Sequence, residues 1–131
     1  MQWLIDLIIE AIGIPPTYIT RGPHAASDWD LNDLIVDGAD HDLDMSALVP
    51  AGASAVNLHI VGTTNTIADI FYLRPKSVPV IFGSCTLRPQ VAAHAYCVRR
   101  AWAVDADRIM TYKFSGVGWT YWKLNVKGWW L

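Results

Sequence analysis

The stretch that most constrains this chain is Arg108 to Leu131, RIMTYKFSGVGWTYWKLNVKGWWL. Met110, Tyr112 and Phe114 alternate with Thr111 and Lys113. After Ser115-Gly116-Val117-Gly118 the alternation resumes, with Trp122, Leu124 and Val126 set against Tyr121, Lys123, Asn125 and Lys127. A period of two is the signature of a strand with one apolar and one wet face. The two glycines between the runs adopt positive φ without steric cost, so the stretch predicts a β-hairpin. Four of the seven tryptophans lie between residues 119 and 130. A segment closing on Trp129-Trp130-Leu131 is expected to be tied down rather than frayed. Strict alternation puts Trp119, Tyr121 and Trp129 opposite the core-facing Trp122, Leu124 and Val126. On that face they are either a subunit interface or a platform on which sugar rings stack.

The rest of the chain from residue 31 reads the same way. Residues 31–48 predict two short strands around the Asp37-Gly38 turn. Ala55–Val61 predicts a strand with Val56, Leu58 and Ile60 inward and Asn57 and His59 outward, followed by a polar loop at 62–66. Residues 67–73 predict a further strand, and Val78–Phe82 a short one whose Pro79 suits an edge. Residues 90–104, with Tyr96, Val98, Trp102 and Val104 on one parity, predict the first strand of a closing three-strand meander. Seven to nine strands spaced by turns argue for an all-β fold, an antiparallel β-sandwich or jelly-roll.

The first thirty residues differ. In QWLIDLIIEAI, residues 2–12, only Gln2, Asp6 and Glu10 are polar, four residues apart. That spacing predicts a short N-terminal α-helix with one narrow polar stripe. It lacks a positive start and a small-residue cleavage site. At ~1.5 Å per residue it spans about 16 Å, too short to cross a bilayer, and no membrane span is expected. A helix this short is marginal alone in water. Trp3, Leu4, Ile5, Leu7, Ile8, Ile9 and Ile12 therefore need a partner surface, either their own domain or other subunits. Residues 13–30, with Pro15, Pro16 and Pro23, read as an extended Pro-rich arm containing a short strand at Thr17–Arg21. The chain is expected to divide into residues 1–30, a docking or trimerisation arm, and 31–131, the β-sandwich domain.

Charge is sparse, 17% of residues against 53% hydrophobic, below the ~25% usual in soluble domains. It is also segregated. Residues 28–44 hold seven aspartates and no Lys or Arg, whereas from Arg74 onward nine Lys or Arg face two acids. The acidic run is either a solvated face or the complement of a basic surface on a neighbouring copy. Asp40, Asp42 and Asp44 alternate as a strand face, but the segment lacks the glycine and glutamate of a calcium loop. Cys85 and Cys97 are expected to be free, buried cysteines acting as small hydrophobes or, in an oxidising compartment, one bridge; no C-x-x-C is present.

Catalytic patterns are missing. There is no phosphate-binding glycine loop, no G-x-S-x-G elbow and no H-E-x-x-H, and His24, His41, His59 and His94 are scattered. Arg88, Arg99 and Arg100 are not interleaved with aromatics as a nucleic-acid groove needs. No enzyme activity, metal, cofactor or nucleic acid is expected.

Three runs carry a family resemblance: DLDMSALVPAGASAV at 42–56, AVDADRIMTYKFS at 103–115 and WTYWKLNVKGWW at 119–130. They resemble small β-sandwich structural proteins of tailed-bacteriophage virions, over roughly residues 40–131. The resemblance is one of structural pattern and transfers no catalytic residue. It implies a virion building block at the particle surface: a capsid decoration or cement protein, a head-fibre protein, or a tail-fibre module. It also implies a homotrimer whose partner is the major capsid protein or another virion protein. The competing expectation is an adhesin-like carbohydrate-binding module reading a host surface glycan through Trp119, Tyr121 or Trp129.

Overall fold

The computed structural model describes residues 17–24, 26–78 and 85–131. The predicted helix with its apolar residues Trp3 to Ile12, and the predicted strand beyond Val78, lie outside the described residues. Nine strands are described: β1 (Tyr18–Thr20), β2 (Trp29–Asp30), β3 (His41–Asp44), β4 (Ala55–Thr64), β5 (Ile70–Pro75), β6 (Cys85–Leu87), β7 (Tyr96–Ala103), β8 (Ile109–Ser115) and β9 (Trp119–Trp130). They form two antiparallel sheets. One has the order β1-β9-β4-β7, with β2 also on β9; the other is β3-β8-β5-β6.

The core lies between the sheets. Val56, Leu58 and Ile60 from β4 and Trp122, Leu124 and Val126 from β9 meet Leu43, Phe71, Leu73, Met110, Tyr112 and Phe114 from the other sheet. The alternation in β4 and β9 predicted these inward positions, because burying one face of a pleated strand selects every second residue. Phe71, Phe114 and Trp122 pack with ring centroids 4.8–5.5 Å apart, in tilted and edge-to-face pairs. Aromatic rings attract most strongly in such arrangements.

The closing stretch is not a hairpin. β8 and β9 occupy their predicted spans, but β8 pairs with β3 and β5, and β9 with β4, β1 and β2. The 115–118 turn carries the chain from one sheet to the other. Likewise β7 pairs with β4 and not with β8, so the expected meander does not form. The reason is a buried side chain that the turn wraps. Asp69, 4% exposed, accepts hydrogen bonds from the Gly118 amide at 2.9 Å and the Thr64 hydroxyl at 2.5 Å. Gly116, at φ +90°, passes so close that a Cβ there would collide with the Asp69 carboxyl. The glycines thus serve close backbone approach to a side chain as well as turn geometry.

Three other expectations change. The first strand around Asp37-Gly38 is instead a 3-10 turn at Leu31–Asp33. The Asp30 and Asp33 carboxyls cap its start reciprocally, a local bonding that competes with strand pairing. The strand expected from residue 67 begins at Ile70, because Ile67 to Asp69 forms the turn that delivers Asp69. Within the expected arm, the short strand at Thr17–Arg21 is present as β1, and β2 docks beside it on β9. Between them Arg21 and Asp28 form an ion pair, and Asp28 accepts from the Val126 amide at 2.7 Å while Arg21 donates to the Val126 carbonyl at 3.3 Å. β1, β2 and the Arg21–Asp28 pair are therefore structural parts of the sheet.

Asp69→Ala leaves the Gly118 amide without its acceptor and empties the turn. It is expected to lower unfolding free energy by about 2–3 kcal/mol, with a Tm drop of roughly 6–15 °C, measured by urea and thermal denaturation.

Candidate functional site

The outer face of the β1-β9-β4-β7 sheet was expected to display Trp119, Tyr121 and Trp129. It displays one of them. In β9, Thr63 of β4 faces Tyr121 and Thr64 faces Trp119, so Thr120 is an extra residue. This bulge rotates Trp119 by one face. Trp119 is 6% exposed and packs edge-on to Phe114 at 5.5 Å, while Tyr121 remains 44% exposed. A second bulge lies between Val126 and Gly128, where Leu58 and Asn57 are the consecutive partners. Lys127 is the extra residue, and Trp129, facing Val56, packs against the core. Strict alternation missed both because a bulge leaves no clear mark in composition. Gly128 is the one signal near the second. A Cβ there would collide with Tyr18, whose ring lies across the glycine and contacts Trp130 at 4.6 Å between centroids.

The register then assembles a set of polar side chains that the sequence scatters over three strands. On β4, Asn57, His59, Val61 and Thr63 point away from Val56, Leu58 and Ile60. His59 is flanked by Arg99 of β7 on one side and Asn125 of β9 on the other. Cys97, two pairs along and on the same face, is an exposed free thiol 2.6 Å from His59 Nε2, so the expectation of a buried or bridged cysteine fails for it. Burial, and then the charges of Arg99 and Lys127, push the His59 imidazole below the ordinary value of 6.5. His24 contacts the Asn125 side-chain oxygen at 3.3 Å, and the Asn57 amide donates to the Tyr18 hydroxyl at 3.2 Å. Lys123 lies over the Tyr121 ring, 5.3 Å from its centroid, and beside Asp30 of β2.

The acidic run is partly matched within the chain. Arg74 and Lys76, at the end of β5, bond Asp40 at 3.4 Å and Asp42 at 3.0 Å. Such exposed pairs contribute ~0–1 kcal/mol and mainly fix local geometry. His41 bonds Asp37 at 2.8 Å, which helps hold that carboxyl below the usual range. Among the described residues, no three His, Cys, Asp or Glu side chains gather where a metal ion could be held. Among the same residues, no helix is long and apolar enough to cross a membrane.

No family model, curated protein or solved structure matches the chain.

Two outcomes test this assignment of faces. Trp119→Ala is expected to cost about 3–5 kcal/mol of stability, whereas Tyr121→Ala stays within ~0.5 kcal/mol of the parent in the same urea titration. The His59 imidazole is expected to titrate by NMR below 6.5 and to rise in Lys127→Ala. The sign follows from linkage: a folded value lowered below the unfolded one adds stability above the unfolded pKa, and that stability is lost as pH falls through the folded value.

Proposed function

We propose that the chain is a non-enzymatic structural protein of a tailed-phage virion, a capsid decoration or cement protein or a head-fibre protein, held on the particle by its N-terminal segment. The observation that carries this reading is where that segment leaves the sandwich. Thr17 and Leu131 pair through both amides, at 2.9 and 3.0 Å, next to the start of β4. β4 runs ten residues away from that pole, about 30 Å at ~3.3 Å per residue. The apolar residues Trp3, Leu4, Ile5, Leu7, Ile8, Ile9 and Ile12 thus belong to a segment rooted at one end. The opposite end is left free to project. The arm used by this reading is residues 1–16, because β1, β2 and the Arg21–Asp28 pair belong to the sheet.

The strand order gives further support. Apart from β1 to β2 and β5 to β6, consecutive strands lie in different sheets. We read this as a jelly roll, an architecture that recurs in viral capsid and lectin domains. In this reading the protein is a homotrimer at the virion surface, its arms docking on the major capsid protein or another virion protein by burying apolar area. A second reading, an adhesin-like carbohydrate-binding module on a tail fibre, is favoured by one observation: Tyr121 stands exposed beside Lys123 on the outer face.

The test is the solution mass and particle binding of the full chain and of its Leu4→Asp/Ile8→Asp variant, which charges the arm and leaves every residue of the sandwich unsubstituted. The expected outcome is a trimeric parent that decorates particles and a folded, monomeric variant that does not. A variant that decorates particles like the parent would overturn the attachment role.

A further inference from the structure

The outer face carries a charge arrangement that packing does not account for. Arg99 sits directly across from His59, and the charge of Lys127 also acts on that imidazole. Like charges set opposite one another across a ladder are destabilising. Among the described residues neither Arg99 nor Lys127 forms an ion pair; the four pairs present are Arg21–Asp28, His41–Asp37, Arg74–Asp40 and Lys76–Asp42. The nearest acids of this sheet are committed elsewhere. Asp28 holds Arg21 and the Val126 amide, and Asp30 caps the turn at Leu31–Asp33. The second bulge makes the arrangement possible, because Lys127 is the residue it leaves unpaired in the ladder.

The same face supplies neutral recognition groups on both sides of these cations. Asn57 lies one outward position from His59 along β4, and Asn125 lies directly across from it. Beyond them stand Tyr18 against Trp130 in one direction and Tyr121 in the other. From the row of Trp130 and Ala55 to that of Tyr121 and Thr63 the face extends about 26 Å at ~3.3 Å per residue.

We propose that this face binds an acidic saccharide, with Arg99, Lys127 and His59 receiving a carboxylate or sulfate and Tyr18, Trp130 and Tyr121 packing on flanking sugar rings. The Asn57 and Asn125 amides hydrogen-bond ring hydroxyls. The proposal deepens the carbohydrate-binding reading above and is independent of arm attachment, which is measured on particles. Charge complementarity selects the ligand class, since uncompensated cations on a rigid sheet attract an anion and orient it. A nucleic acid is disfavoured. The chain has a net charge of −2 and seven aspartates between residues 28 and 44, which repel a polymer charged at every unit more than a saccharide with spaced acids.

Calorimetry on the full chain tests the assignment, with four probes: a keratan sulfate hexasaccharide sulfated on alternate sugars, a hyaluronan hexasaccharide carboxylated on alternate sugars, neutral maltohexaose and single-stranded oligothymidylate. At least one acidic hexasaccharide is expected to bind, to weaken as salt rises, and to outcompete the neutral and nucleic-acid probes. Comparing the two acidic probes distinguishes sulfate from carboxylate. Arg99→Ala and Lys127→Ala are each expected to reduce affinity roughly tenfold or more, Arg99→Lys to retain most of it, and Lys113→Ala, on the other sheet, to change nothing. The groups facing His59 are Arg99 and Cys97 from β7 and Asn125 and Lys127 from β9. A bound anion favours its protonated form, so affinity rises as pH falls through its titration, and His59→Gln flattens that dependence. Thermal melts of each variant establish that it is folded. Equal binding of acidic and neutral probes, no acidic binding, tighter oligothymidylate binding, or unchanged affinity in folded Arg99→Ala and Lys127→Ala overturns the proposal.

Discussion

The antiparallel pairing of β9 with β4 is the interaction on which the remaining structure is built. β4 contributes ten residues and β9 twelve, and apart from Gly128, which Tyr18 covers on the outer face, their buried positions face the second sheet. β1 and β2 dock on the far side of β9, and β7 on the far side of β4. The pairing is long but irregular. Two bulges absorb the surplus residues of β9, and they decide which side chains become core. Through these bulges Trp119 joins the apolar interior and Trp129 packs, half-buried, against it. Lys127 enters neither the ladder nor the core and is left on the outer face. Packing and surface chemistry are thus set by the same two irregularities.

One end of this pairing and one gap along its edge are secured by polar groups rather than apolar ones. At one end the Asp69 carboxyl holds the amide of Gly118 and the hydroxyl of Thr64, so the chain turns from β8 into the opposite sheet. Part-way along β9, where β1 and β2 leave a gap on its outer edge, Arg21 and Asp28 engage both backbone groups of Val126. Both places would otherwise leave buried backbone amides or carbonyls unpaired, which costs about 1–3 kcal/mol per group. A carboxylate suits such a place because one group accepts several hydrogen bonds.

The distribution of charge separates two kinds of surface. Around β3 and β5 the aspartates meet Arg74 and Lys76, and the charges are largely matched. On the outer face of the β1-β9-β4-β7 sheet they are not: Arg99 and Lys127 surround a histidine whose protonation they oppose. A solvated sheet face has no need to gather cations around an imidazole. Both proposed roles use the anisotropy of the molecule. Attachment draws on the pole where Thr17 meets Leu131, and recognition draws on a broad face extending away from it.

The sequence alone determined the all-β class, the spans of β8 and β9 and the inward residues of β4, because burying one face of a pleated strand writes a period of two into the chain. Its alternation in β7 placed Val98, Trp102 and Val104 on one parity, and these three pack in or against the core; its Pro-rich opening contained β1. Tertiary structure decided what period alone does not encode. Which sheet a strand joins depends on where its preceding turn is anchored, and Asp69, in a loop read only as polar, anchors the decisive one. Which face a residue takes after a bulge depends on partner register, and so Trp119 passed from expected surface to core and Trp129 to a half-buried place against it. The clustering of His59, Arg99, Asn125 and Lys127 belongs to the same class. These residues lie on three strands far apart in the chain, and only the pairing of β4 with both β7 and β9 brings them side by side.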